Sequence, residues 1–192
     1  MPALTLEETP LPGLLLVRPP HFADHRGFFE ECWNRRSLAA QGLDLDFVQD
    51  NQSLSRAVGT LRGLHYQAPP HAQAKLVRVV RGRVLDVAVD VRRGSPTYGR
   101  WHAVELSAEN RLQLLVPEGF LHGFVTREPD TEVFYKCSAY YAPEAEGTVH
   151  FADPELAIDW GLDPADAILS EKDAKAPAFA DFESPFTWSD AP

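Results

Sequence analysis

KLVRVVRGRVLDVAVDV, residues 75–91, carries two runs with the alternation of strands about a central Arg-Gly. KLVRVV (75–80) is one strand and RVLDVAVDV (83–91) the next, with RG at 81–82 between them. In the second run Leu85, Val87, Val89 and Val91 share one face, and Asp86, Ala88 and Asp90 share the other. Period two with unlike faces predicts a strand lying between two different environments. The same texture extends outward on both sides. FVQDNQSLS (47–55) reads as a strand ending in a turn, and RRGSPTYG (92–99) is a loop by composition. WHAVELS (101–107), RLQLLVP (111–117), HGFVT (122–126) and TEVFYKCSAYY (131–141) continue the series. Short strands separated by Gly, Pro, Asp and Asn predict an all-β barrel or sandwich.

Two stretches read as short helices. They are NRRSLAAQG (34–42), stopped by Gly42, and SEKDAKA (170–176), where Ser170 and Asp173 have capping-box spacing. After Pro143 the chain becomes rich in Pro, Asp and Glu, without enough periodic apolar sequence for a core of its own. The expectation is one domain over 1–192, with 143–192 a C-terminal tail packing over the barrel.

The bulk properties exclude several classes. A net charge of −10 over 192 residues argues against nucleic acid, which needs clustered Lys and Arg. It does not exclude a small anionic ligand, for which a few local cations suffice. Two cysteines are too few for a disulfide framework and match no zinc spacing, so reduced thiols and a cytoplasmic location are expected. The N-terminus has no basic residue to mark a signal peptide, and LLLV (14–17) is far too short to span a bilayer.

Chemistry concentrates in two places. VPEGFLHGF (116–124) contains Pro117, Gly119 and His122 as P-x-G-x-x-H, which resembles the second motif of the cupins, double-sheet barrels in which that histidine is often a metal ligand. LRGLHYQ (61–67) supplies His65, but Gln67 stands where the first cupin motif has its second histidine. Gln73 and Lys75 occupy the region of its glutamate. A catalytic metal normally takes about three His or carboxylate ligands, so no metal is expected and acid/base work becomes the sharper reading of His65.

The resemblance then narrows. RGFFEE (26–31), FVQDN (47–51), RGLHYQ (62–67), KLVRVVRG (75–82), DVAVD (86–90), GSPTYGRW (94–101), PEGFLHGF (117–124), YKCSAYYAP (135–143), DPELAIDW (153–160) and LSEKD (169–173) occur in order. Together they resemble the dTDP-4-dehydrorhamnose 3,5-epimerase family from about residue 10 to about residue 175, with no counterpart for 176–192. The fold implied is a cupin-like double-stranded β-helix, or jelly roll. The activity implied is cofactor-free inversion of C3 and C5 beside the C4 ketone of dTDP-4-dehydro-6-deoxy-D-glucose. No G-x-G-x-x-G or P-loop offers a place for a redox or nucleotide cofactor.

Carried over position by position, the resemblance makes His65 the base and Asp173 the carboxylate on its other ring nitrogen. Lys75 becomes the cation for the enolate oxygen, and Tyr135 the acid on the opposite face. Arg26 and Arg62 would meet the diphosphate. Phe29 would stack on the base, while Glu31, Gln49 and Asn51 would hydrogen-bond base or sugar. His122 would contact the sugar or support the pocket, and Tyr140 would line it. The family forms homodimers in which N-terminal strands lend residues across the interface.

Plainer readings stand beside these. His65 and His122 would pack, Tyr135 would be core, Asp173 would sit in a helix's first turn, and Lys75 would be solvated. Strict alternation puts Arg62 and His65 on opposite faces. Both reach one pocket only if Gly63 makes a bulge; otherwise Arg62 lies at the rim or serves a partner. The rival functions are a single-carbon epimerase of the same family, a metal-dependent cupin oxygenase or isomerase, and a non-catalytic sugar-binding cupin.

Overall fold

A computed structural model describes residues 4–189. The strands are β1 (Thr5–Glu8), β2 (Leu15–Arg18), β3 (His21–Asp24), β4 (Gly27–Glu30), β5 (Gln49–Ser55), β6 (Leu61–Gln67) and β7 (Lys75–Arg81). They continue as β8 (Arg83–Asp90), β9 (Trp101–Ser107), β10 (Gln113–Val116), β11 (Phe120–Thr126), β12 (Thr131–Cys137) and β13 (Glu146–Thr148). The two short helices are α1 (Arg35–Ala39) and α2 (Glu171–Ala174).

Two antiparallel sheets face each other, one in the order β1-β2-β10-β7-β12-β5 and the other β13-β6-β11-β8-β9. From β5 onward the chain changes sheet at every connection except β8 to β9, which is the winding of a jelly roll. The β3–β4 hairpin is a two-stranded sheet of its own.

The core has three layers. Between the sheets lie Val77, Val79, Leu114 and Val133 from one and Val84, Ala88, Leu106, Phe120 and Phe124 from the other. Outside the six-stranded sheet, Leu38 of α1 packs with Val17, Leu76 and Leu115. Asn34 caps α1 at Ser37 N–H, and Gly42, at φ +89°, lets the Gly42 and Leu43 N–H groups close on the Ala39 and Leu38 carbonyls. Outside the five-stranded sheet, Val87, Val89, Val91, Leu121 and Val125 are covered by Val149, Phe151, Leu156, Trp160, Phe179 and Phe186. Each such side chain removed from water contributes roughly 1.5–3 kcal/mol.

The alternation of β8 is therefore inverted relative to a simple barrel. Its continuous apolar face points outward, under the C-terminal segment, while its aspartates point inward. Asp90, fully buried, accepts from the Arg92 guanidinium at 2.9 and 2.8 Å, from Ser95 Oγ at 2.6 Å and from Thr97 Oγ1 at 2.6 Å. Burial alone would raise its carboxyl, but these donors hold it below the usual aspartate value. Arg92 also lies over Phe120 and Trp188. A Cβ on Gly119 would come 2.4 Å from Arg92 Cγ, which explains the glycine of the P-x-G turn.

Candidate active site

The bend expected at Gly63 is present. On β11, His122 pairs with His65 and Phe124 with Arg62, so two steps on β11 oppose three on β6. The extra residue places Leu61 and Leu64 in the outer core while Arg62 and His65 line the same cleft. Gly63 sits at φ +138°, and a Cβ there would lie 2.6 Å from Gly123 Cα.

That cleft has a volume of about 610 Å³ and contains His65, Lys75, Tyr135 and Asp173 together. The size suits a ligand larger than a single sugar ring. His65 Nε2 lies 2.6 Å from Asp173 Oδ1. The imidazole is 29% exposed and the carboxylate only 4%, so the buried partner holds a ring that opens to the cleft. Asp173 comes from α2, whose N-cap Ser170 accepts the Asp173 N–H at 3.1 Å. The capping box is thus one-sided, with the Asp173 side chain committed to His65. Burial would push the Asp173 carboxyl up. Hydrogen bonds from His65, Ser170 and the Gly63 N–H outweigh that and keep it below its ordinary value. The nitrogen of His65 turned from Asp173 is the one left to take a proton.

Lys75 and Tyr135 come from the opposite sheet. Tyr135 pairs with Val77 and Cys137 with Lys75, which makes the lysine and tyrosine near neighbours on the inner face of adjacent strands. Burial lowers the proton affinity of the Lys75 ammonium, against the opposing pull of Cys137, Asp86 and Glu146. Burial raises the Tyr135 phenol, with Cys137 and Glu146 acting in the same direction and Arg62 against them. A tyrosine held protonated beside Lys75, and across the cleft from a carboxylate-backed imidazole, can give a proton where the histidine takes one.

His122 is buried, and its Nε2 lies 2.8 Å from Oδ1 of the fully buried Asp86. It lines the cleft beside His65. Gln67 and Gln73 hold backbone. The Gln67 amide donates to the His71 and Tyr140 carbonyls and accepts the Ala142 N–H, and Gln73 donates to the Ala139 carbonyl at 2.8 Å. With its carbonyl oxygen and amide so engaged, Gln67 is a clamp on the 139–142 turn and a poor metal donor.

The remaining expected residues divide. Arg62 lines the cleft, its guanidinium donating to Ser55 Oγ at 3.2 Å and to the Leu54 carbonyl at 3.3 Å. Gln49 and Asn51 line an adjoining hollow of about 210 Å³ that shares His65, Lys75 and Tyr135 with the cleft, and Gln49 donates to Asn51 at 3.1 Å. Arg26 and Phe29 line a separate hollow on the β3–β4 hairpin, where Phe29 is 69% exposed. Glu31 follows that hairpin and lines neither the cleft nor the hollow beside it.

Tyr140 requires correction. It is 70% exposed and outside the cleft, which is lined by Tyr141. β12 ends at Cys137, so strand alternation from Tyr135 no longer governs the position of the next tyrosines. Sequence reading also missed Glu146, Lys172 and Ser53 in the cleft wall. Ser53 was legible only as a residue two places from Asn51 and Ser55 on one strand face.

A family model for dTDP-4-dehydrorhamnose 3,5-epimerase matches residues 8–181. The dTDP-4-dehydrorhamnose 3,5-epimerase of Pseudomonas aeruginosa is 52% identical over 89% of this chain and 93% of its own. The dTDP-6-deoxy-D-glucose-3,5-epimerase of Legionella pneumophila, solved with dTDP-4-keto-L-rhamnose, superposes with a TM-score of 0.91 at 43% identity, covering 97% of this chain and 100% of that one. A 3'-monoepimerase of Streptomyces bikiniensis, solved with dTDP-quinovose, gives a TM-score of 0.83 at 39% identity over 90% of this chain and 86% of that one. Sequence and architecture thus agree that the chain belongs to the dTDP-4-dehydrorhamnose 3,5-epimerase family and is a carbohydrate epimerase of cupin-like fold.

Proposed function

We propose that His65, Asp173, Lys75 and Tyr135 carry out the epimerisation of dTDP-4-dehydro-6-deoxy-D-glucose at C3 and C5, giving dTDP-4-dehydro-L-rhamnose for dTDP-L-rhamnose biosynthesis. The observation that carries the assignment is the 2.6 Å His65–Asp173 pair opening onto a cleft that also holds Lys75 and Tyr135. A C–H bond beside the ketone breaks. Its proton passes to His65, and its electron pair moves onto the C4 oxygen as an enolate. Asp173 stabilises the imidazolium, and Lys75 opposes the charge on oxygen. The enolate re-forms the ketone by taking the Tyr135 proton on the other face, which inverts the carbon. His65 then loses a proton to solvent and Tyr135 regains one, and the cycle repeats at the second carbon. The chemistry is a relay of protons between these side chains and water.

Arg62 is suited to the diphosphate, Gln49 and Asn51 to polar groups of the sugar or base, and His122 to the sugar. Arg26 and Phe29 on the hairpin, and Glu31 just after it, do not line this chain's cleft. We assign them to the cleft of a second copy, in a homodimer built through the N-terminal strands. The separate β3–β4 sheet and its exposed phenylalanines support that arrangement. Both cysteines are free, which suits a cytoplasmic protein. Among the described residues no helix is long and apolar enough to cross a membrane.

The test is proton exchange. Incubated with the 4-dehydro sugar nucleotide in deuterated water, the protein is expected to place deuterium at C3 and C5, and His65→Ala to place it at neither. Exchange with inversion at one carbon only would instead assign a monoepimerase. Silence of the wild-type protein at both carbons would overturn the assignment.

A further inference from the structure

Residues 184–188 lie beyond the stretch that the family model matches, yet they are built into one end of the barrel. Ser184 Oγ donates to the Val91 carbonyl and accepts the Phe186 N–H at 3.2 Å. The Arg93 N–H donates to the Phe186 carbonyl at 3.0 Å, and the Trp188 N–H to the Arg93 carbonyl at 2.9 Å. Thr187 bridges to Arg93 in parallel. These bonds fix Phe186, which is 7% exposed, against the P-x-G turn. Its Cβ lies 3.6 Å from where a Gly119 Cβ would be, and its ring centroid 6.0 Å from that of Tyr66. The ring closes a hollow of only about 10 Å³, shared with Lys75, His122, Gln67 and Gln73. The hollow sits where β6 and β10 end and β7 and β11 begin. Lys75 and His122 also line the cleft, whereas Phe186 does not. They are the wall between the cleft and the hollow, and Phe186 stands behind it.

We propose that Phe186 is a positioning residue of the epimerase, a stopper that keeps water from the back of Lys75 and holds that side chain toward the cleft. The inference rests on the role given above to Lys75. A site needs about 10–15 Å³ to hold one water, so the hollow has room for one at most. Removing the ring enlarges it. A lining of an ammonium, an imidazole and two amides then fills the space with water, where an apolar cavity would stay dry. A hydrated ammonium opposes an enolate charge less strongly than a desolvated one. A lysine free to turn into the new space also spends less time at the C4 oxygen. Phe186 therefore acts on the reaction through the wall residues alone.

The experiment is a volume series in the full chain, Phe186→Leu, Phe186→Val and Phe186→Ala, with Phe182→Ala as the control. Phe182 belongs to the same covering segment and packs on Tyr66 with ring centroids 5.3 Å apart, but it does not line the hollow. Two readouts are taken. One is steady-state kcat and KM. The other is the rate at which trace acetic anhydride acetylates Lys75, followed by peptide mass spectrometry, which needs no turnover. The expected result is a kcat that falls as volume is removed, by about 10–10²-fold at alanine, with KM little changed. Lys75 acetylation is expected to quicken in the same order, with Phe186→Leu nearest the wild type. Phe182→Ala is expected to lower the thermal midpoint and leave both readouts unchanged. An unchanged kcat or an unchanged Lys75 acetylation rate across the series would overturn the proposal. So would an equal loss of kcat in Phe182→Ala, which would mean that the segment only holds the fold together. If Phe186→Ala does not fold, the leucine and valine variants carry the same comparison. Should the wild-type protein catalyse no exchange in deuterated water, the assigned reaction fails, whereas the acetylation of Lys75 still reads the stopper on its own.

Discussion

At Asp173 two requirements compete: a carboxylate 4% exposed resists ionisation, yet only the ionised form can orient the His65 ring and stabilise an imidazolium. Three donors decide the balance, from His65, Ser170 and the Gly63 backbone. Asp173→Asn keeps the shape but presents an amide that can donate to the ring and favour the wrong tautomer. The expected result is a fall in kcat of about 10²–10⁴-fold with near-normal KM, measured by steady-state turnover. A loss below threefold would remove Asp173 from the relay. Because the carboxyl is held below its ordinary value, its contribution to folding is present above the unfolded aspartate pKa. That contribution is lost as pH falls through the lower folded value. His65, Lys75, Tyr135 and Asp173 are named through the family resemblance of the segments that carry them, and the fold brings all four to one cleft. Glu146 and Lys172 are not singled out, since Glu146 lies in the acidic C-terminal tail and SEKDA reads only for its helix cap and Asp173, until the fold joins the two across the cleft.

Among the elements, β6 determines whether there is a site. Its bulge puts Arg62 and His65 on one face, and the close approach of Gly63 to Gly123 leaves no room for a side chain. Gly63→Ala adds a Cβ 2.6 Å from backbone at a positive φ, so the strand must shift. The expected cost is about 1–3 kcal/mol of stability, read by urea unfolding, with kcat/KM at least about 10²-fold lower. Near-wild-type activity would mean that the bulge does not set the geometry of His65. The possibility of a bulge could be read from one glycine, but its occurrence depends on β11 pairing, which local sequence does not encode. β8 teaches the complementary point. Its alternation was plain in VLDVAVDV, but which face was interior was not. The outward face became apolar because Phe151, Trp160 and Phe179, scattered among Pro, Asp and Glu, return to cover it. Of the inward aspartates, Asp90 is satisfied by Arg92, Ser95 and Thr97, whereas Asp86 meets His122 through Oδ1 and its buried Oδ2 has no hydrogen-bond partner.

For the whole molecule, one chain gathers the four side chains proposed for the relay but leaves part of the expected binding set outside. His65, Lys75, Tyr135 and Asp173 share a cleft, while Arg26 and Phe29 stand apart on a hairpin with an aromatic side exposed. A second copy resolves this if each hairpin serves the other's cleft, a self-complementary exchange consistent with two-fold symmetry. Subunit complementation tests it. Arg26→Ala/Phe29→Ala impairs the hairpin but keeps the relay, and His65→Ala does the reverse. Co-expressed with separate tags, the two form mixed dimers in which one cleft has both an intact relay and an intact hairpin. Random assortment makes half the dimers mixed, each with one working site of two, so about a quarter of wild-type activity is expected from two proteins that are nearly inactive alone. Activity in the mixed species isolated by both tags would place the hairpin in the partner's site. If every chain's hairpin served its own cleft, no combination of these subunits could restore a complete site, and the mixed dimer would be as inactive as its parents.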